Sequence, residues 1–173
     1  MGTMLRQSLT YQMASISEDS IRPASRLFRS RFGLDVHELR VLRLIDDQPG
    51  VTFTSLAAQT KFERSATSRI LARLIKAGLA RREIDEADAR HFKMFVTAEG
   101  QALRQRADPL SLELEEMILA ALPEAERRQF RASLDKVTAW LANHFQENLA
   151  ERYPEALDAS QRRLIRAAKK RDA

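Results

Sequence analysis

The chain has 173 residues, of which 44% are hydrophobic and 31% charged, so we expect one globular domain with peripheral helices rather than two full domains. It contains no cysteine, which excludes disulfides, thiolate nucleophiles and sulfur-ligated zinc. The net charge of +5 permits nucleic-acid binding without demanding it, and no apolar run approaches the roughly 20 residues that cross a bilayer.

The first third of the chain predicts helices. Apolar residues recur at helical spacing up to Phe32, but the polar residues 17–20 and Pro23 interrupt them, so we expect two short helices or one kinked helix. Asp35 with Glu38 three residues later predicts a capping box at the start of the next helix. The sequence Gln48-Pro49-Gly50 ends that helix.

Two short helices and a hairpin are predicted next. Thr52 or Thr54 opens the first helix, and the second extends from about Glu63 to Gly78, where glycine suits the left-handed backbone of a helix end. The apolar period then shortens, which predicts strands at residues 80–84 and 92–96 joined by an acidic and polar tip. This order is the winged helix-turn-helix arrangement.

The remaining third is again helical. Thr97 caps a helix to about Leu122, with a kink or restart at Asp108-Pro109, and a further helix begins at Pro123 and ends at Tyr153-Pro154. The last helix has a narrow apolar stripe that is typical of helices packing on helices. This C-terminal seam consists of Phe130, Leu134, Val137, Leu141 and Phe145. We expect it to need a partner surface, although packing within its own chain is the alternative.

The second helix of the helix-turn-helix has one polar face. Ser65 and Ser68 are short enough to let the backbone approach a major groove, and Arg69 can form a bidentate pair with guanine. Three longer cations suit phosphates, namely Arg64, Arg73 and Lys76. The alternative is an ordinary amphipathic surface helix with a solvated face.

The hairpin favours the DNA-binding interpretation. Arg90 at its tip can enter a minor groove, and Asp88 can hold that arginine in position. The alternative is a local salt bridge in an exposed loop. In full, the predicted DNA-contacting residues are Arg64, Ser65, Thr67, Ser68, Arg69, Arg73, Lys76, Asp88 and Arg90.

Linked motifs resemble the MarR family of bacterial transcriptional regulators. The wing signature D-x-R-x-x-x-V-x-L-T-x-x-G is similar to the run that contains Asp88, Arg90, Met94, Val96, Thr97 and Gly100. The family's helix-turn-helix resembles Leu56-Ala57, residues 63–69, Leu74 and Ala77-Gly78-Leu79, and its second-helix motif resembles residues 34–42. The resemblance implies a mainly α fold with a small β-hairpin and an obligate homodimer.

The resemblance also implies one MarR-like domain, residues 1–173, in which different segments bind DNA and dimerise. Residues 34–100 form the winged helix-turn-helix, and residues 1–33 and 101–150 form dimerisation helices. Residues 151–173 are a basic C-terminal extension, and the tail beyond Tyr153 is longer than the family's usual end. That extension either adds DNA contacts or keeps the terminus solvated. Pro23 and the polar residues before it depart from the family's commonly continuous first helix.

The function implied is that of a cytoplasmic, sequence-specific repressor that binds a pseudo-palindromic operator in double-stranded DNA as a homodimer. A small aromatic acid or phenol is the expected effector, with its anionic group near His37, Arg40 and Arg43. Alternatively, His37 is a surface residue and the two arginines make structural ion pairs. A non-specific architectural DNA binder or a protein-interaction module is the alternative function.

No enzyme, cofactor or membrane partner is expected. The sequence contains no nucleophile motif and no glycine-rich phosphate loop. His37, His91 and His144 lie in separate segments without carboxylates at metal-ligand spacing, so no metal site is predicted.

Overall fold

The computed structural model describes residues 7–84 and 92–156, and the chain divides into two compact units, residues 1–118 and 119–173. The first unit contains α1 (Leu9–Phe32), α2 (Val36–Asp47), β1 (Val51–Thr52), α3 (Phe53–Thr60), α4 (Arg64–Lys76), β2 (Ala80–Ile84), β3 (Phe92–Val96) and α5 (Ala98–Ile118). The second contains α6 (Glu124–Trp140), a π-helical turn (Leu141–Phe145), α7 (Gln146–Arg152) and a 3-10 turn (Pro154–Ala156). Within the described ranges, no helix has both the length and the apolar character to span a bilayer.

The N-terminal helix is continuous, so of the two expectations, two short helices is wrong and a single helix through Pro23 is confirmed. α1 passes through both the polar residues 17–20 and Pro23 without a break. The Ser20 hydroxyl donates to the Ile16 carbonyl at 2.7 Å, so this serine is bonded within the helix rather than ending it. Beyond the proline, Leu27 and the buried Phe28 pack into the core. This burial stabilises the helix more than the missing proline N–H weakens it.

The predicted capping box is confirmed at the start of α2. The Asp35 carboxylate accepts a hydrogen bond from the Glu38 backbone N–H at 2.9 Å, and the Glu38 carboxylate accepts one from the Asp35 N–H at 2.9 Å. Burial of the Asp35 carboxyl opposes ionisation, but the Glu38 N–H and the Arg29 guanidinium outweigh it and lower the pKa of Asp35 below its ordinary value. The start of α2 is therefore anchored to the end of α1.

The wing is part of a three-stranded antiparallel sheet in the order β1-β3-β2. β2 and β3 occupy the predicted residues, with Ala80 opposite Val96 and Ile84 opposite Phe92. β1 adds two residues that pair with β3, Val51 opposite Met94. β1 was not predicted, because a two-residue strand is too short to show an alternating pattern. The mainly α fold class is confirmed, with one strand more than the predicted hairpin.

Two glycines hold the wing against the helices. Gly78 ends α4 with a left-handed φ of 71°, as predicted. At Gly100, in the first turn of α5, a side chain would overlap the Leu79 carbonyl oxygen, so only glycine allows this approach.

Thr97 caps α5 as predicted, since its hydroxyl accepts from the Gly100 N–H at 3.1 Å. No restart occurs at Pro109, and α5 ends at Ile118 rather than Leu122.

The core of the first unit lies where α1, α2, α4, α5 and the sheet meet. Leu39, Leu42 and Ile45 provide the buried stripe of α2, as predicted, and Leu74 is equally buried on α4. The capping box, the core and the sheet together hold α3 and α4 in fixed positions at the surface.

The second unit has no buried residue among residues 119–155. The side chains of the C-terminal seam are 40–45% exposed, and those from Leu141 to Phe145 lie on the π-helical turn rather than on a regular helix. The seam is therefore not covered by other described residues of the second unit.

Candidate nucleic-acid interface and effector cavity

The α4 helix has one buried and one exposed face, as predicted. Leu71 and Leu74 point into the core. The exposed face consists of Ser65, Ser68, Arg69, Ala72, Arg73 and Lys76. Small residues therefore lie near the start of this face and cations lie further along it, which suits a helix that enters a major groove by its N-terminal end.

Thr67 was predicted to contact DNA, and this prediction is wrong. Its exposed fraction is 0%, and its hydroxyl shares a hydrogen bond of 3.0 Å with that of Thr60 at the end of α3. The pair joins α3 to α4, so Thr67 supports α4 from its buried side. Its spacing of four and seven residues from Leu71 and Leu74 was the signal for burial.

Two of the phosphate-directed arginines have partners in the protein. The Arg73 guanidinium pairs at 2.7 Å with Glu38, whose side chain is 2% exposed, while 61% of the Arg73 side chain remains exposed. The Arg64 guanidinium lies 4.7 Å from the centre of the Phe53 ring. Sequence reasoning missed both contacts, because they join residues of different helices. Arg69 and Lys76 form no ion pair within the described part of the chain, so their charges face solvent.

The wing carries two arginine–aromatic contacts that the sequence analysis did not identify. The Arg81 guanidinium lies 4.8 Å from the Phe95 ring centre, directly across the strand pair, and the Arg82 guanidinium lies 4.9 Å from that of Phe92, diagonally across it. The register of the two predicted strands could have revealed both contacts. Asp88 and Arg90, predicted at the wing tip, lie outside the described residues.

A cavity of about 530 Å³ lies between α1, α2 and α5, within the size range of small-molecule sites. Its walls combine apolar side chains with serine hydroxyls and two arginines. The lining residues are Ser17, Ser20, Ile21, Pro23, Ala24, Leu27, Phe28, Val36, Arg40, Arg43, Ser111, Leu114, Glu115, Met117 and Ile118. Two of the three predicted effector residues, Arg40 and Arg43, therefore lie at one site.

The two cavity arginines differ in their partners. Arg43 donates to the Asp108 carboxylate at 2.8 and 2.6 Å and to the Ser111 hydroxyl at 2.6 Å, so the structural ion-pair alternative holds for this residue. Asp108 also accepts from Arg104 at 3.3 Å, which joins α2 to α5 through a network of charges. The Arg40 guanidinium lies instead 5.3 Å from the centre of the Phe62 ring.

His37 does not line the cavity, so the prediction that it meets the effector there is wrong. Its ring packs edge-on against Phe62 with centres 4.8 Å apart. Its Nδ1 atom is buried and has no hydrogen-bond partner within the described residues. Position 37 is one residue from Val36 along a helix, which turns its side chain by about 100° away from the cavity face. Residues 7–84 and 92–156 contain no cluster of three metal-ligating side chains.

The chain is similar to known regulators in both sequence and structure. The sequence model described as the MarR family matches residues 32–91. The transcriptional regulator HosA of Escherichia coli is 32% identical over 97 residues, which cover 56% of this chain and 72% of HosA. The HTH-type transcriptional repressor Rv2887 of Mycobacterium tuberculosis is 27% identical over 129 residues, which cover 75% of this chain and 90% of the repressor.

A crystal structure of the Mycobacterium tuberculosis protein Rv2887 in complex with salicylic acid shares the fold. It superposes with a TM-score of 0.63 at 27% identity and covers 75% of this chain and 96% of that protein. The residues that the family model matches, 32–91, contain both helices of the helix-turn-helix, with the exposed and buried faces of α4. The chain belongs to the MarR family of winged-helix transcriptional regulators.

Proposed function

We propose that the chain is a homodimeric repressor that binds a pseudo-palindromic operator in double-stranded DNA and releases it when a small aromatic acid or phenol binds. The observation that carries this proposal is the exposed polar face of α4 on a rigidly supported helix-turn-helix. Ser65, Ser68 and Arg69 are exposed on this face; in this proposal the two serines allow close approach and Arg69 pairs with a guanine.

The remaining cations of the interface act on the DNA backbone. Lys76 and Arg64 meet phosphates, while Arg73 offers only the part of its guanidinium that Glu38 does not occupy. At the wing, Arg90 enters the minor groove with Asp88 as its support. The relatives' names, transcriptional repressor and transcriptional regulator, support this assignment and a role without catalysis.

The C-terminal seam supports the homodimer. An apolar stripe that is 40–45% exposed on α6 and the turn after it is suited to cover by a second copy. In this proposal residues 1–33 and 101–150 dimerise, residues 34–100 bind DNA and residues 151–173 extend the domain. Two α4 helices then enter successive major grooves about 34 Å apart. The protein acts in the cytoplasm, with the DNA that it regulates.

The cavity supports the effector. Its apolar walls suit an aromatic ring, and its two arginines suit a carboxylate. Salicylic acid, found with the Mycobacterium tuberculosis relative, is an aromatic carboxylic acid of this kind. A ligand that prefers one dimer shape shifts the protein toward it and changes the spacing of the α4 helices.

Footprinting and fluorescence anisotropy on the DNA flanking the gene test the proposal. We expect a protected pseudo-palindrome bound at least about 1,000-fold more tightly than random duplex, with an affinity that falls steeply as salt rises. Salicylate is expected to weaken binding. Equal affinity for random DNA would favour the architectural binder instead, and binding to neither duplex would favour a protein-interaction module.

A further inference from the structure

Arg40 takes part in two sites at once. Its side chain lines the cavity between α1, α2 and α5, and its guanidinium lies over the face of Phe62, 5.3 Å from the ring centre. Phe62 belongs to the three-residue turn between α3 and α4. A single side chain therefore connects the cavity wall with the turn of the helix-turn-helix.

The turn is closely tied to the position of α4. Lys61 holds a left-handed φ of 59°, and the Phe62 N–H donates to the buried Thr60 hydroxyl at 3.4 Å. The Phe62 ring is partly buried against the core, and the His37 ring lies nearly perpendicular to it with centres 4.8 Å apart. Because α4 begins at Arg64, a displacement of Phe62 is transmitted within two residues to the start of the DNA-reading helix.

The two cavity arginines are unequal targets for an anion. Arg43 already has a carboxylate partner in Asp108 and a hydroxyl partner in Ser111. Arg40 lies on an uncharged aromatic ring and forms no ion pair within the described part of the chain. A carboxylate that enters the cavity must compete with Asp108 at Arg43, whereas the described contact of Arg40 is with a ring face, whose attraction is weaker. The Glu115 carboxylate also lines the cavity.

We propose that Arg40 couples the effector to DNA binding: an anionic aromatic ligand draws its guanidinium from Phe62 into the cavity, which loosens the turn that positions α4. This inference rests on the proposed function and assigns the step that links its two sites. The ligand class follows from the same geometry, as a ring lies among the apolar residues of α1 and α5 while a carboxylate pairs with Arg40. Ligand and DNA must then weaken each other's binding by the same factor.

The experiment measures the ratio of operator affinities without and with salicylate, using the full chain. In the parent we expect salicylate to lower operator affinity about tenfold, and salicylamide, its uncharged counterpart, to have less than about a twofold effect. Arg40→Gln is expected to reduce the salicylate ratio to below about twofold. Arg106→Gln is the matched control, because Arg106 is exposed on α5 and does not line the cavity, and it should keep the parent ratio.

Phe62 variants separate ligand binding from coupling. Phe62→Leu removes the ring, so calorimetry should show salicylate still bound while the effect on operator affinity is lost. Phe62→Tyr keeps the ring and should restore that effect. If Arg40→Gln lowers the melting temperature, Arg40→Met, which keeps the apolar stem, replaces it.

The outcomes distinguish failure of the proposed effector response from failure of the coupling role of Arg40. A parent protein that ignores salicylate overturns the effector part of the proposed function, and the inference with it. A parent that responds, together with an Arg40→Gln variant that responds equally, overturns the inference alone. An unchanged ratio in Phe62→Leu likewise excludes the route through the turn.

Discussion

The two units of the chain use the same kind of helical pattern to opposite effect. In the first unit, the apolar stripes of α2 and α4 are buried in a core that the unit itself supplies. In the second, the C-terminal seam is equally apolar in composition, but none of residues 119–155 is buried. An apolar period thus identifies a surface that must be covered, and it does not say which chain covers it.

The largest effect on stability is expected from a substitution in the buried apolar stripe of α4. Leu74→Ala should lower the free energy of unfolding by about 2–5 kcal/mol, because it leaves a cavity in a well-packed core. Denaturant titration measures this loss. Lys76→Ala, two residues along on the exposed face, is the control and should change stability by less than about 0.5 kcal/mol. Equal losses in both variants would contradict the assignment of the two faces.

The C-terminal seam is expected to control dimerisation. Leu134→Glu places a charge in the seam, so light scattering should show monomers, and operator affinity should fall about 100-fold, or about 2.7 kcal/mol, because a monomer presents one α4. Ala132→Glu introduces the same side chain on the opposite side of α6 and should remain dimeric. A dimeric Leu134→Glu protein would show that the seam is not the interface.

The exposed face of α4 gives the next effect. Arg69→Ala should cost about 1–3 kcal/mol in operator binding while the melting temperature stays unchanged, because Arg69 is exposed and forms no ion pair with residues 7–84 and 92–156. Anisotropy with operator and random duplex measures the loss, which should be larger for the operator. A matching loss on random DNA would instead identify Arg69 as a phosphate contact.

The smallest effect is expected at the cap of α2. Asp35→Ala should lower stability by about 0.5–2 kcal/mol at neutral pH. Because the pKa of Asp35 is lowered in the folded protein, its ionic contribution is present above the ordinary carboxyl pKa and is lost as the pH falls below about 4. Melting curves of both proteins at pH 7 and pH 3 should therefore converge at the lower pH, and a constant difference would contradict this role.

Local signals predicted much of the fold because they act between near neighbours in the chain. The capping box of Asp35 and Glu38, the Thr97 cap and the left-handed Gly78 depend on residues within one helical turn. The two long wing strands were also found at the predicted residues, where the helical spacing of apolar residues stops. The exposed face of α4 followed from the same periodicity.

The misses involve contacts between distant parts of the chain. Pro23 lies inside α1 because the residues after it are buried against other helices, which no local rule reports. Thr60 and Thr67 are seven positions apart on different helices, and nothing in the sequence indicated that their hydroxyls meet. His37 was assigned to the cavity because of its chemistry, whereas its place on α2 directs it to Phe62.

The amino-acid sequence by itself determined the capping residues, the two wing strands, which faces are apolar and which family the motifs resemble, because these properties depend on backbone preference and periodicity along the chain. Only the tertiary structure decided which polar residues are buried, which arginine of the cavity has a carboxylate partner and which lies on an aromatic ring. Those properties depend on side chains brought together from separate elements, where distance and solvent exclusion set the strength of each interaction.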